Sequence, residues 1–375
     1  MSIHIVIGKN FGDEGKGLAT DFFALSSLKN NRSCVVIRHN GGAQAGHTVD
    51  LQDKRFVFHQ LSSGSVRHAD TFWSETFLPD LFKLSDEYHE FRDLFGFVPM
   101  IYADGNARCA TVIDILINQG LENMRGSNRH GSCGMGIDET VRRSRSGYKI
   151  SLSEICSMSA ESFANRLIDL RNDYLPVRLC QLGLNINDLG EFGEFLYSDA
   201  VIRNWADKAA RGTELISLTD DAHIKDYDDI VFEGAQGLLL DEENKKYAPH
   251  LTTSRTGLTN PVSLLRKVIP DMEVASEAVY VSRSYVTRHG NGPLPNERQF
   301  RFEDLTNIPN EWQGTIRFGD HGDQKDFEAP VSEDIRNSSF TGDYAFFVTH
   351  LNEIDKPFGA KYRSYSKFAE DVQIV

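Results

Sequence analysis

The sequence predicts an α/β protein: one large domain, residues 1–375, around a mostly parallel central sheet with a phosphate-loop-like nucleotide site. Two observations carry this. Short apolar runs, of the length and content of buried strands, alternate with stretches of helical periodicity. Glycine-rich polar segments also directly follow several of those runs, and ligands of such sheets sit outside the carboxyl ends of the strands.

The elements follow in order. Ile3–Ile7, Cys34–Ile37, Val98–Tyr102, Ile230–Phe232, Ala278–Val286 and Tyr344–Val348 read as buried strands. Cys109–Met124, with apolar residues at 110, 113, 116, 117 and 121, reads as a helix, as do Ser162–Leu175 and Glu191–Ala210. Residues 288–298 and 310–326 are rich in Asp, Gly and Asn and read as long loops, which in compact domains are more often functional than structural. No internal repeat, low-complexity tract or clear linker interrupts the chain.

Composition narrows the function. The chain has 375 residues, 40% hydrophobic and 25% charged, enough to bury a large core without covalent staples. A formal charge of −14 argues against broad nucleic-acid or anionic-membrane binding, though not against a local anion pocket. The five cysteines (Cys34, Cys109, Cys133, Cys156 and Cys180) are scattered without a CxxC, which suggests neither a zinc site nor a disulfide framework. No secretory leader or bilayer-length apolar stretch is visible, so a reduced, cytoplasmic setting is expected.

The chemistry concentrates in "IHIVIGKNFGDEGKGLATDFF" (3–23), a strand, a glycine turn and a helix. It departs from the GxxxxGK[ST] phosphate loop: Gly15-Lys16 fits, but Asn10 occupies the first glycine position and Gly17 replaces the hydroxyl that holds magnesium. Gly12, Gly15 and Gly17 let backbone N–H groups approach an anion at a helix N-terminus, and Lys16 adds a positive charge. Asp13 and Glu14 repel phosphate, so they need another use. Asp13 either ligates Mg²⁺ in place of the missing hydroxyl or acts as general base on a substrate beside the phosphate. The bland reading is a glycine turn with solvated carboxylates. A second loop, "VVIRHNGGAQAGHTV" (35–49), places His47 where it could hydrogen-bond a phosphate oxygen. "GSCGMGI" (131–137) and "VFEGAQGLLLD" (231–241) complete a set of four, and Gln236 offers an amide to a base or carbonyl. Four such loops can wrap a nucleotide.

Taken with "YAPHLTTSRT" (247–256), "TRHGNGPLPNE" (287–297) and "THLNEID" (349–355), these loops resemble, in order and over most of the chain, the adenylosuccinate synthetase family. That resemblance implies a ligase of purine biosynthesis. A nucleoside triphosphate phosphorylates the 6-oxygen of a purine nucleoside monophosphate, and the amine of L-aspartate displaces the phosphate. It also implies a role for Asp13 as the base on purine N1–H and, with the Gly46 carbonyl, as a ligand of Mg²⁺. It implies Lys16 at the transferring phosphoryl group and His47 at the β,γ-bridge. Gly12, Gly15, Gly17, Gly46, Thr48, Ser132, Cys133, Gln236, Thr252 and Asn352 become nucleotide contacts, Thr315 and Arg317 aspartate contacts. A homodimer is expected, with one of Arg142, Arg143 and Arg145 reaching the neighbouring subunit's nucleotide; the bland reading of that cluster is a solvated basic turn.

Three departures from the family pattern bear on specificity. The aspartate loop normally carries several arginines, whereas "QGTIRFGDHG" (313–322) has Arg317 alone, which can fork onto only one of aspartate's two carboxylates; Arg283 and Arg288 are further candidates. GTP-using members have lysine and aspartate at the positions of His350 and Asn352, and an amide cannot accept both guanine donors but can pair with adenine, so ATP or dATP is the expected donor over GTP. The sequence also ends at Val375, soon after this motif, where GTP-using members continue. These traits resemble the short phage and archaeal branch, which includes synthases acting on dGMP. Those enzymes replace the aspartate of "GDEGKG" by a smaller residue, whereas Asp13 is retained here. IMP is therefore the favoured acceptor and dGMP or GMP the alternative. A non-catalytic nucleotide-binding relative is the reading from another class; intact Asp13, Lys16 and His47 argue against it.

Overall fold

The computed structural model describes residues 1–126, 134–270, 275–300, 302 and 315–375. Its centre is β1 (Ser2–Gly8), where period-two alternation sorts the side chains. Ile3, Ile5 and Ile7 enter one apolar layer, Val6 the opposite one. Helix α1 (Lys16–Lys29) covers the Val6 face through Ala19, Phe23 and Ala24.

The chain then builds outward on one side. It runs through β2 (Cys34–Arg38), the hairpin β3 (His47–Asp50) and β4 (Arg55–Phe58), and β5 (Asp70–Trp73). Helix α2 (Leu81–Phe95) follows, capped by the Asp80 carboxylate, which accepts from the Phe82 and Lys83 N–H groups. Next come β6 (Ile101–Asp104) and α3 (Val112–Arg125), opened by a Thr111–Asp114 capping box. Helices α4 (Ile137–Arg145), α5 (Leu152–Cys156), α6 (Ala160–Leu182), α7 (Glu191–Tyr197) and α8 (Asp199–Thr213) form a helical lobe, and the edge strand β7 (Ser217–Thr219) closes this side. The chain returns to the centre in β8 (Asp229–Gly237). Helix α9 (Thr259–Val268) leads to β9 (Ser276–Arg283) and a three-stranded sheet of β10 (Val286–His289), β11 (Glu297–Arg298) and β12 (Ile316–Gly319). Helix α10 (Gln324–Ser338), β13 (Asp343–Thr349), β14 (Tyr362–Arg363) and β15 (Gln373–Ile374) complete it.

Ten strands form the main sheet in the order β15-β14-β13-β9-β1-β8-β2-β5-β6-β7. Every pairing in it is parallel except β14 with β15. The predicted α/β class with a mostly parallel central sheet therefore holds. From β1 the chain first winds toward β7 and later, from β9 onward, toward β15, so the winding reverses beside β1. A reversal of that kind opens a crevice at the carboxyl ends of the strands. Among the described residues, no helix is long and apolar enough to cross a membrane.

Several boundaries differ from the sequence reading. The expected strand Val98–Tyr102 begins at Ile101, because Pro99 has no N–H to give the ladder. The helix expected over Ser162–Leu175 continues through Pro176 to Leu182, held by burial of Leu179 and by the Arg178–Glu139 ion pair. Glu191–Ala210 divides at Ser198, whose extended backbone stops α7 and whose hydroxyl accepts from the Val201 N–H to start α8. Ala278–Val286 divides where the Ser284 N–H turns to the Thr349 carbonyl. The two expected loops carry β11, β12 and the start of α10, and residues 310–314 of the second lie outside the described residues.

Candidate active site

A cavity of about 870 Å³ lies at the carboxyl ends of the central strands. Three expected catalytic residues line it: Asp13, Lys16 and His47. The loop after β1 forms its floor. Gly15 adopts φ 95° and caps α1 without a side-chain hydrogen bond, which leaves the first N–H groups of the helix open to an anion. Asp13 is held at φ 58° by its own carbonyl, which accepts from Arg283 Nε at 2.6 Å, and the Gly12 carbonyl accepts from Thr287 Oγ1 at 2.9 Å.

The structure explains why Gly17 stands where a phosphate loop has serine or threonine. A Cβ there would lie 2.7 Å from the Thr48 carbonyl and 3.3 Å from His47 Cβ. Strand β3 thus packs directly on the first turn of α1 and leaves no space for a hydroxyl. Gly17→Ser is expected to destabilise the protein by about 1–3 kcal/mol through overpacking. Urea unfolding checks this; a variant as stable as the parent would show that the two backbones separate easily.

Two acids beside Lys16 sort into different roles. Glu14 is buried, accepts from the Asn10 N–H at 2.5 Å, and keeps one oxygen without a partner among the described residues. Burial pushes its carboxyl up to about 7, against the pull of Lys16. Burial likewise lowers the Lys16 ammonium, while Glu14, Asp13 and Glu233 favour its charged form. Lys9 supports the loop from below. Its ammonium donates to Asn10 Oδ1 and the Phe327 carbonyl, each at 3.0 Å, and burial brings it down to about 7.

His47 is buried, with Nδ1 2.7 Å from Glu233 Oε1 on β8. Burial would raise Glu233, but the His47 and Arg38 charges and hydrogen bonds from His47 and Ser63 hold it down at about 2. Burial takes His47 down to about 4. At neutral pH the pair is a neutral imidazole donating Nδ1–H to a carboxylate, and Nε2 is left without a partner among the described residues.

Gly12, Gly15, Gly17, Gly46 and Thr48 share the cavity wall with Gln236, Thr252 and Asn352. Gln236 sits at φ 56°, and its Oε1 is buried without a partner among the described residues, as is Thr48 Oγ1. Asn352 is exposed, two residues from His350, whose Nδ1 lies 2.9 Å from Thr349 Oγ1. Asp13 and Gly46 both line the cavity, and a carboxylate with a backbone carbonyl is a donor set that suits Mg²⁺, which needs one or two carboxylates and otherwise water and substrate phosphates.

Other expected residues lie elsewhere. Ser132 and Cys133 fall outside the described residues. Thr315 is exposed and is not among the residues that line the cavity. Arg317, also off that wall, donates to the Gly290 and Gly292 carbonyls at 3.2 and 2.6 Å and pairs with Glu297. Arg288 is buried on the Asn291, Pro293 and His250 carbonyls. Of the basic cluster, Arg143 is buried in a bidentate pair with Asp114, whereas Arg142 and Arg145 are exposed. Sequence reasoning assigned no role to Glu233 or Glu14. An acidic residue at the end of an otherwise apolar strand, "IVFEG", was the available signal for Glu233.

Comparisons with known proteins show the family. The family model described as adenylosuccinate synthetase matches residues 5–317. The adenylosuccinate synthetase of Clostridium perfringens is 29% identical over 312 residues, covering 79% of this chain and 66% of its own length. That of Trichodesmium erythraeum is 31% identical over 325 residues, covering 81% and 66%. The chain thus spans slightly under two thirds of the length of these relatives. Among solved structures, fully ligated adenylosuccinate synthetase from Plasmodium falciparum superposes with a TM-score of 0.64 at 18% identity, covering 94% of this chain and 77% of that one. The succinoaminodeoxyadenylate synthetase of cyanophage S-2L, bound to dGMP and dATP, gives 0.64 at 15% identity, covering 100% and 95%. From its glycine loops to β12, the chain belongs to the adenylosuccinate synthetase family.

Proposed function

We propose that this protein is a ligase that joins L-aspartate to a 6-oxopurine nucleoside monophosphate at the expense of a nucleoside triphosphate. The observation that carries the reading is the convergence of Asp13, Lys16 and the His47–Glu233 pair on one cavity at the centre of the sheet. In the first step Asp13 takes the N1 proton, the 6-oxygen attacks the γ-phosphorus, and the nucleoside diphosphate leaves. In the second the aspartate amine attacks C6 and phosphate departs. A lactam oxygen is a poor nucleophile until N1–H is lost, which gives Asp13 its use in a phosphate loop. Lys16 and the open N–H groups of α1 stabilise the transferring phosphoryl group, and His47 acts at the bridging oxygen. Asp13 and the Gly46 carbonyl would hold Mg²⁺, which would supply neutralisation of phosphate charge. Gln236 reads the acceptor base. The protein works in the cytoplasm as a homodimer, with Arg142 or Arg145, rather than buried Arg143, as the arginine that crosses.

IMP is the acceptor this reading favours, because Asp13 is retained where the resemblance gives the dGMP-using synthases a smaller residue. A second reading, dGMP or GMP, draws support from the match over 100% of this chain to a synthetase bound to dGMP. Side-by-side turnover with IMP, GMP and dGMP decides between them. Saturation with IMP alone supports the first, and a dGMP rate above the IMP rate overturns it.

The donor is ATP or dATP. Asn352 lines the cavity, and an amide pairs with adenine but not with both guanine donors. One base-reading pair is worth roughly 1–3 kcal/mol, by analogy with base-edge contacts in DNA complexes, or ~5–150-fold in kcat/KM. ATP is expected to be preferred by that factor, and the preference to weaken in Asn352→Asp. A tenfold preference for GTP contradicts the assignment.

A further inference from the structure

We infer that Glu233 is a positioning residue for phosphoryl transfer, fixing His47 in the Nδ1–H tautomer so that Nε2 is the nitrogen presented to the cavity. The inference rests on the reading of His47 as a phosphoryl-transfer residue.

Each Glu233 oxygen has a defined set of neighbours. Oε1 lies 2.7 Å from His47 Nδ1 and also accepts from the Ser63 hydroxyl. Oε2 accepts from the Ser63 backbone N–H at 3.1 Å and faces Arg38 Nε at 3.8 Å. The carboxylate is fully buried, and Arg38 is anchored by the Leu61 carbonyl at 3.1 Å. The ring it holds belongs to β3, which is pressed against the first turn of α1 at Gly17. Imidazole position and tautomer are thus set together. For metal-bound histidines, removing such an outer partner typically costs about 10–100-fold, and an effect of that order is expected here.

The asymmetry of the two oxygens makes the inference testable by one isosteric change. In Glu233→Gln, the Ser63 N–H and Arg38 Nε are both donors, so the carbonyl oxygen must take the Oε2 place. The amide NH₂ then falls opposite His47 Nδ1, where it can only donate, because the Ser63 hydroxyl can rotate to accept but the imidazole must offer a lone pair. The variant is therefore expected to force His47 into the opposite tautomer, with the proton on Nε2, while leaving the fold in place.

The experiment is nitrogen-15 NMR of histidine-labelled full-length protein without substrates, paired with steady-state kinetics. His47 is expected to be protonated on Nδ1 in the parent and on Nε2 in Glu233→Gln. With ATP, aspartate and acceptor, kcat should fall ~10–100-fold with little change in acceptor KM. A parent protein with bare Nδ1, or a variant with the parent's tautomer and undiminished kcat, overturns the inference. Should the variant fail to fold, the parent spectrum alone decides the tautomer. Because the spectra need no substrate, absence of turnover in the parent would refute the ligase reading without touching this result.

Discussion

Asp13→Asn is expected to lower turnover ~10²–10⁴-fold, the usual effect of losing a positioned base. The substitution is clean for two reasons. Asp13 sits at φ 58°, a conformation asparagine tolerates as readily as aspartate, and its backbone is held from outside the side chain by Arg283 on its carbonyl. The amide keeps the size and removes the basic lone pair. Thermal unfolding should therefore match the parent while kcat collapses. Retention of more than a tenth of the parent rate with a folded protein would show that the N1 proton leaves by another route.

His47→Ala is expected to slow formation of the 6-phosphoryl intermediate ~10²–10³-fold, the range seen when one oriented group is removed from a developing negative charge. The effect belongs to the first half-reaction, because His47 lines the cavity against Gly17 at the start of α1, with Nε2 left without a partner among the described residues. Some stability is lost too, since Glu233 gives up one of its partners, but Ser63 and Arg38 still face the carboxylate and the fold should survive. Rapid-quench measurement of phosphate transferred to the acceptor distinguishes the two steps. A variant that forms the intermediate at the parent rate and then fails to consume it would assign His47 to aspartate attack instead.

Much of this architecture is legible in the sequence because its central strands are buried on both faces. Cys34–Ile37 has no charged interruption and Ile3–Ile7 only His4, and β1 and β2 reach only one or two residues further. The β3–β4 hairpin was not legible. It is short, and its outward residues Thr48, Arg55 and Val57 mix with buried Phe56 and Phe58 in a pattern that local periodicity does not separate from loop. Helix α10 carries Pro330 and many charges, and only its packing through Phe327 and Val331 reveals a buried face. At the site, residues that work through a loop backbone could be found from glycine spacing. Glu233 could not, because its importance is a distance across the sheet to His47, about 190 positions away in sequence. Arg317 shows the opposite case: an arginine in the expected segment whose guanidinium is engaged by the Gly290 and Gly292 carbonyls and Glu297.

The most direct test of the central claim is to incubate the purified protein with ATP, Mg²⁺, L-aspartate and IMP and to identify the purine product by mass. An N6-succinyl nucleotide, formed with one ADP and one phosphate per product and absent when aspartate is omitted, is the predicted result. Absence of that product with IMP, GMP and dGMP alike, from a protein that still binds ATP, would contradict the account and leave a nucleotide-binding protein without ligase chemistry.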